Sequence, residues 1–200
     1  MKQTKTVLHH YLGTGLQCQL IKDKTDDFED QDFSDADKFR KGAIWELIGV
    51  NHAKDLHIPM GEGYLDGFLY RNEFTYVNFH RGVLPALHSM NRLTMPLENG
   101  EIPMLELAKI AFPQWPWSEM RKWQVNENLE CLEFDFPQLP EYCFGNSDTM
   151  DFWAMAGSED RRINNQLQLF QYLINNHFNC FGLSESEYIE KSTLTNLSGV

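Results

Sequence analysis

The chain has 200 residues, of which 42% are hydrophobic and 13% aromatic, so it can bury a sizeable core and is not globally disordered. Its formal charge is −12 at pH 7 and its 17 basic residues form no run, which disfavours binding to nucleic-acid phosphates and to acidic membrane surfaces. No cysteine pair has C-x-x-C spacing, the first residues lack the apolar core of a signal peptide, and no stretch approaches the roughly 18 apolar residues of a membrane span. We therefore expect a cytoplasmic protein with reduced thiols, folded as a single domain over residues 1–200 or at most as two packed lobes.

The first half of the chain predicts strands separated by an acidic loop. Residues 16–20 alternate apolar and polar side chains, which is typical of a half-buried strand. Residues 43–50 are apolar on both faces, which favours a buried strand. The segment at about 23–38 contains eight acids, and we expect it to form an acidic flexible loop between these two strands. After an irregular segment at 51–66, residues 73–79 are rich in β-branched and aromatic side chains and predict a further strand.

Prolines interrupt the connecting region that follows. Residues 104–112 predict a short helix, which ends before Pro113 because the residue preceding a proline disfavours the helical region. Residues 132–136 alternate again and predict another strand, which Pro137 stops.

The strongest pattern lies near the C-terminus and predicts a long amphipathic helix over residues 159–181. Ser158 supplies an N-cap, two acids follow in the first turn, and Gly182 stands where a C-terminal glycine is expected. At about 100° per residue, one stripe is apolar: Ile163, Leu167, Phe170, Ile174, Phe178 and Phe181. The predicted class is α+β, with a mostly antiparallel sheet packed against this helix and the shorter middle one, because helices and strands do not alternate regularly.

His177 and Cys180 raise the question of a reactive pair at the end of that helix. A reactive thiol needs a positive, partly exposed setting, and the C-terminal end of a helix is negative instead. A histidine there is favourable for the helix dipole without any catalytic role. We therefore expect Cys180 to be an unreactive thiol, and we expect one buried cluster: Phe170, Ile174, His177, Phe178 and Phe181.

Other motifs do not complete a known site. An EF-hand calcium loop counted from Asp30 would have Asp35 in place of its glycine and Lys41 in place of its bidentate glutamate. The glycine-rich stretch at 61–67 lacks the spacing of a dinucleotide fingerprint. We expect no cofactor and no bound metal. An alternative is a metal-dependent hydrolase or nuclease that uses His80, His88 and a distant acid, and His80 and His88 are thus the candidate catalytic residues.

Trp115 and Trp117 are the candidate partner-binding residues, because they flank a proline in a rigid aromatic turn and tryptophan dominates interface energetics. Burial of both rings in the core is the other interpretation of the same turn.

Two segments of the chain carry a family likeness. Residues 10–12 with 15–16 look like a tyrosine-leucine-glycine-leucine opening motif. Residues 173–183 look like a terminal helix that ends in histidine, an acid or amide, and phenylalanine-glycine-leucine. With these segments the chain resembles a group of uncharacterised proteins from prophages and other mobile elements of Bacteroidetes. The layout of residues 87–112 is also similar, whereas residues 13–14 replace the usual proline and aromatic. The resemblance implies a mobile-element origin and a cytoplasmic protein, and it carries no catalytic residue.

These observations predict a non-enzymatic, protein-binding accessory factor of a mobile element. The expected partner is another protein, with no membrane and no direct contact to nucleic-acid phosphates. Three alternatives stay open: the His80/His88 hydrolase, an acidic DNA mimic built on the loop at 23–38, and a structural component of a phage.

Overall fold

The computed structural model describes residues 7–21, 41–50, 65–70, 73–78, 83–137, 141–147 and 151–194. The predicted acidic loop at 23–38 lies outside these residues. The chain divides into two compact units. Unit 1 is Met1–Leu87 with Leu183–Val200, and unit 2 is His88–Gly182. The single-domain expectation stays a prediction. Within the part of the chain that the structure describes, no helix has the length and apolar character needed to cross a membrane.

The described elements are mainly antiparallel strands with two short helices, so the class is α+β. The helices are α1 (Pro103–Ala111) and α2 (Gln166–Asn175). The strands, in chain order, are β1 (Gln17–Leu20), β2 (Ile44–Val50), β3 (Leu65–Tyr70), β4 (Glu73–Asn78), β5 (Val83–Leu87), β6 (Lys122–Asn126), β7 (Cys131–Asp135), β8 (Tyr142–Ser147), β9 (Asp151–Ala156), β10 (Glu159–Asp160) and β11 (Ile189–Glu190).

Unit 1 is built on a six-stranded sheet with the order β11-β5-β1-β2-β3-β4. Its neighbours pair antiparallel except β11, which runs parallel to β5. The strands predicted at 16–20, 43–50 and 73–79 are confirmed as β1, β2 and β4. The prediction that β2 is buried on both faces is wrong. Trp45 and Leu47 are buried but Glu46 between them is exposed, because alternate side chains of a strand point to opposite faces.

Unit 2 contains an antiparallel sheet of five strands in the order β10-β9-β8-β7-β6, with α1 and α2 on one face. The predicted helix at 104–112 is confirmed as α1. Pro103 occupies its first turn, where a missing N–H costs nothing, and Pro113 follows its end. The core of unit 2 takes side chains from both helices and the sheet, including Leu107, Leu169, Leu173, Leu132, Phe134 and Phe144.

The long C-terminal helix predicted over 159–181 is not what the structure shows. Glu159 and Asp160 form β10, which turns back on β9 through Gly157 at φ 62°. Ser158 therefore lies in a hairpin turn and not at a helix N-cap, and α2 has only ten residues. The predicted stripe also has the wrong phase, since Leu167 is 70% exposed while Leu169 and Leu173 are fully buried.

His177, not Gly182, ends α2. His177 adopts φ 60°, its N–H donates to Ile174 O at 3.0 Å, and the N–H of Phe178 donates to Leu173 O at 2.9 Å. These two bonds, with an apolar contact partner after the turn, constitute a Schellman motif, in which the left-handed residue is usually glycine. Because the chain reverses at His177, the residues after it leave the helix axis and Gly182 has no capping role.

Candidate functional site

Side chains on the unit 2 sheet alternate between two faces. Leu132, Phe134, Tyr142, Phe144 and Phe152 point toward the helices and belong to the core. Strand register places the residues of opposite parity on the other side, which we call the outer face. The outer face consists of Lys122, Gln124 and Asn126 on β6, Cys131, Glu133 and Asp135 on β7, Glu141, Cys143 and Gly145 at β8, Asp151, Trp153 and Met155 on β9, and Asp160 on β10.

Trp153 lies directly over Gly145 on the neighbouring strand. A Cβ atom at Gly145 would be 2.5 Å from Trp153 Cζ2 and 2.9 Å from Cys131 Cβ, so only glycine leaves room for the indole. The ring helps to bury Cys131, which is 0% exposed, whereas Trp153 and Met155 are themselves half-buried. The outer face thus has an apolar centre, made of Cys131, Cys143, Trp153 and Met155.

The two thiols of the apolar centre are held in the protonated form. Burial, reinforced by the neighbouring Cys143 and Glu133, raises the pKa of Cys131 to about 12. Burial and the charge of Glu133 also raise the pKa of Cys143. Since the thiolate is the nucleophile, both cysteines are poor nucleophiles at neutral pH.

Glu133 is a fixed, charged group next to these thiols. Asn126 Nδ2 donates to Glu133 Oε1 at 2.7 Å, and Gln124 Nε2 donates to Glu133 Oε2 at 2.7 Å. The hydrogen bond from Asn126, followed by the one from Gln124, lowers the pKa of Glu133. Two strand-borne amides therefore hold this carboxylate in one orientation and keep it ionised.

A pocket of about 200 Å³ opens on the outer face beside Glu133. Its acidic lining consists of Glu133, Asp135 and Glu141, and Lys122 is the cationic side chain in its wall. Lys122 lies directly opposite Asp135 in the strand register and offsets part of that charge. The remaining wall is formed by Trp123, Gln124 and Phe134. A pocket with this lining suits a cationic group.

Of the two candidate catalytic residues, His80 and His88, the structure describes only His88. His80 lies outside the described residues. His88 is buried, its N–H donates to His177 O at 2.8 Å, the N–H of Asn179 donates to His88 O at 2.8 Å, and its ring is 5.3 Å from that of Phe178. Over the described ranges, no group of three or more His, Cys, Asp or Glu residues could hold a metal ion. The His80/His88 hydrolase therefore stays a prediction.

The segment around His177 and Cys180 is packed in part as expected. Ile174, His177 and Phe178 are buried, whereas Phe170 and Phe181 are half-buried and meet edge-to-face at 5.5 Å. The Cys180 thiol donates a hydrogen bond to Phe178 O at 3.2 Å. Low reactivity of Cys180 stays a prediction. The structure also brings His88 beside His177, which the sequence did not indicate.

The two candidate partner-binding tryptophans lie in and beside the core of unit 2. Trp115 is 8% exposed, stacks on Phe112 at 4.2 Å and contacts Tyr142. Trp117 is half-buried, and its Nε1 donates to Phe112 O at 2.9 Å. Core burial, the second interpretation of this turn, describes Trp115. Trp153 is the tryptophan of the outer face, and sequence analysis missed it.

Comparison with known proteins adds no relative to this description. No protein-family model, no curated protein and no solved structure matches the chain. The resemblance to mobile-element proteins therefore stays a prediction.

Proposed function

We propose that this protein is a non-enzymatic, protein-binding accessory factor and that it binds its partner through the outer face of the unit 2 sheet. The observation that carries the proposal is the half-buried pair Trp153 and Met155, which lies at the middle of a sheet face bordered by carboxylates. Specific protein interfaces have this anatomy, with an aromatic or methionine-rich centre and a polar rim. Tryptophan is also the residue most enriched among those that dominate binding energy.

The anchoring of Trp153 supports a binding role. Its ring is seated on Gly145 and against Cys131, so the side chain has lost much of its rotamer freedom before a partner arrives. Immobilising a rotamer-rich side chain on binding costs about 0.5–1.5 kcal/mol, and a pre-positioned ring avoids that cost. The protonated thiols beside it favour contact over covalent chemistry, because neither is poised to attack a substrate.

The biological setting of the proposal comes from the sequence. The resemblance at residues 10–12, 15–16 and 173–183 supports a mobile-element origin and action in the cytoplasm. The strong negative charge supports a protein partner over nucleic acid, since phosphate binding depends on lysine and arginine.

Site-specific photo-crosslinking tests the proposed binding face. A photoreactive phenylalanine analogue replaces Met155 on the outer face or, in the matched control, Leu167, which is exposed on α2. We expect one discrete protein adduct in host cells from position 155, none from position 167, and loss of the position 155 adduct when Trp153→Ala is added. Equal adducts from both positions, or an adduct that survives Trp153→Ala, would contradict binding through this face.

A further inference from the structure

The outer face is strongly acidic around its apolar centre. Register and alternation place one ammonium group on it among the described residues, that of Lys122. They place five carboxylates there: Glu133, Asp135, Glu141, Asp151 and Asp160. Complementary charge steers partners together and fixes their orientation. A partner that covers this face must bring positive charge to it, because like charges across an interface cost several kcal/mol.

The carboxylates are not evenly spread, because three of them line one pocket. Glu133, Asp135 and Glu141 share its wall, and Lys122 offsets part of the charge through its position opposite Asp135. Glu133 is held in place by amide donors from Asn126 and Gln124, which occupy one acceptor site on each of its oxygens and leave others open. A planar guanidinium, with five donors, can bridge two carboxylates in a way that a point-like ammonium cannot.

The pocket and the apolar centre are joined by one row of side chains across the sheet. Gln124, Glu133, Cys143, Met155 and Asp160 are successive cross-strand partners. Glu133 and Met155 are two strands apart, which corresponds to about 10 Å. A segment in the extended polyproline II conformation rises about 3.1 Å per residue with three residues per turn, so its side chains at i and i+3 lie on the same side about 9 Å apart. A single segment of this kind can therefore place one side chain in the pocket and another on Met155 and Trp153.

We propose that the outer face binds an extended, arginine-containing segment of the partner, with an arginine in the Glu133–Asp135–Glu141 pocket and an apolar side chain about three residues away on Met155 and Trp153. This inference rests on the proposed function and adds the chemistry of the partner. Arginine also suits the setting because a guanidinium can stack on the Trp153 ring if the segment shifts by three residues along the face.

Peptide binding to the full chain tests the inference. The probe is a fluorescein-labelled synthetic peptide with the repeat Arg-Thr-Thr-Leu-Thr-Thr, in which arginine and leucine are three residues apart. Fluorescence anisotropy gives its Kd. Two matched peptides replace every arginine with citrulline, its neutral isostere, or with lysine. We expect the citrulline peptide to bind at least tenfold more weakly than the arginine peptide, and the lysine peptide to lie between them.

Two charge-matched protein variants locate the site. Glu133→Gln/Asp135→Asn/Glu141→Gln removes three charges from the pocket, and Glu98→Gln/Glu119→Gln/Glu127→Gln removes three from exposed positions outside the outer face. Three exposed ion pairs of ordinary strength correspond to about a tenfold change in Kd, so we expect about that loss in the pocket variant and less than twofold in the control. The loss should shrink as salt is raised, because exposed charges are screened. If the triple variant unfolds, the double variant Asp135→Asn/Glu141→Gln replaces it, because it keeps the amide contacts of Glu133. Its affinity for the arginine peptide should fall about fivefold.

The outcomes separate this inference from the proposed function. Equal losses in the pocket variant and the control would overturn it, because net charge alone would then explain binding. If Trp153→Ala leaves the affinity for the arginine peptide unchanged, the proposal that one segment reaches from the pocket to Trp153 is overturned. If no peptide binds while position 155 still crosslinks a partner, the outer face is a binding site and its partner is not basic. If position 155 crosslinks nothing, the proposed function itself fails.

Discussion

Replacing Gly145 with alanine tests the close contact on which the outer face is built. The new Cβ would lie 2.5 and 2.6 Å from two Trp153 ring carbons and 2.9 Å from Cys131 Cβ. Carbon atoms prefer about 3.5–4.0 Å, so the ring has to move by about 1 Å. The contact atoms belong to the middle of a rigid indole and cannot yield by rotating a chain end.

The expected cost follows from two opposing terms. Overpacking a well-packed site costs about 1–3 kcal/mol. Alanine in a strand interior also restricts the unfolded chain relative to glycine, which returns about 0.5–1 kcal/mol. We therefore expect Gly145→Ala to destabilise the protein by about 1 kcal/mol. In a Trp153→Ala background the two ring contacts are gone and only the approach to Cys131 Cβ remains, which the restriction of the unfolded chain offsets, so the same substitution should be close to neutral.

Urea unfolding followed by far-UV circular dichroism measures the four proteins of this cycle. The coupling energy between positions 145 and 153 should be about 1–2 kcal/mol, a value typical of residues in direct contact. Gly100→Ala is the control: its Cβ would enter open space, and its positive φ makes it costly by about 1 kcal/mol without any coupling to Trp153. If Gly145→Ala costs the same with and without the Trp153 ring, the stacked arrangement is wrong.

Three further predictions concern single groups. His177→Gly should be more stable than His177→Ala by about 1 kcal/mol in urea, the reverse of the usual order, since both lose the imidazole and only alanine is strained at φ 60°; equal stabilities would argue against the Schellman cap. Alkylation of Cys131 at pH 8, quantified by mass spectrometry, should be about a thousandfold slower in the folded than in the urea-unfolded protein, because the pKa rises from 9.0 to about 12. The same shift means that stability falls as pH rises above about 9, where only the unfolded chain releases this proton, and a flat profile there would contradict the assignment. Asn126→Ala should raise the pKa of Glu133 toward its ordinary value of 4.5 in a carboxylate NMR titration. The contribution of wild-type Glu133 to stability is present above pH 4.5 and is lost as pH falls through its lower folded pKa. An unchanged titration in Asn126→Ala would show that Asn126 does not lower the pKa of Glu133.

Local patterns predicted the elements whose boundaries are themselves local. The alternation that ends in Cys18 and Leu20 specifies a half-buried strand, because period two places these side chains on one face. Helix α1 starts at Pro103 and ends before Pro113, and proline acts through its own ring and missing N–H.

The C-terminal helix was overestimated because its ends depend on distant residues. Ser158 and the acids after it resemble an N-cap, but Glu159 and Asp160 pair with β9 and are removed from the helix. At the other end, His177 takes a left-handed conformation that a histidine rarely adopts, in a segment that forms a bridge with His88. Neither competing interaction is visible in a periodicity of 100° per residue.

The outer face was missed for a related reason. Residues 151–156 carry apolar side chains at both parities, so alternation alone does not say whether Phe152 or Trp153 enters the core. The decision depends on pairing with β8, where Gly145 accepts the indole of Trp153. Likewise, the row from Gln124 to Asp160 exists only once five strands are in register.

The bridge between His88 and Phe178 also has a kinetic consequence. Strand β11 pairs with β5 across about a hundred residues of intervening chain, nearly all of which form unit 2. Once unit 2 has folded, the bridge holds its two ends together and shortens the effective loop between β5 and β11 to about ten residues. Loop-closure entropy grows as (3/2)RT ln n, so this shortening lowers the cost of docking β11 by about 2 kcal/mol. Chain connectivity therefore predicts that unit 2 folds before β11 docks on β5.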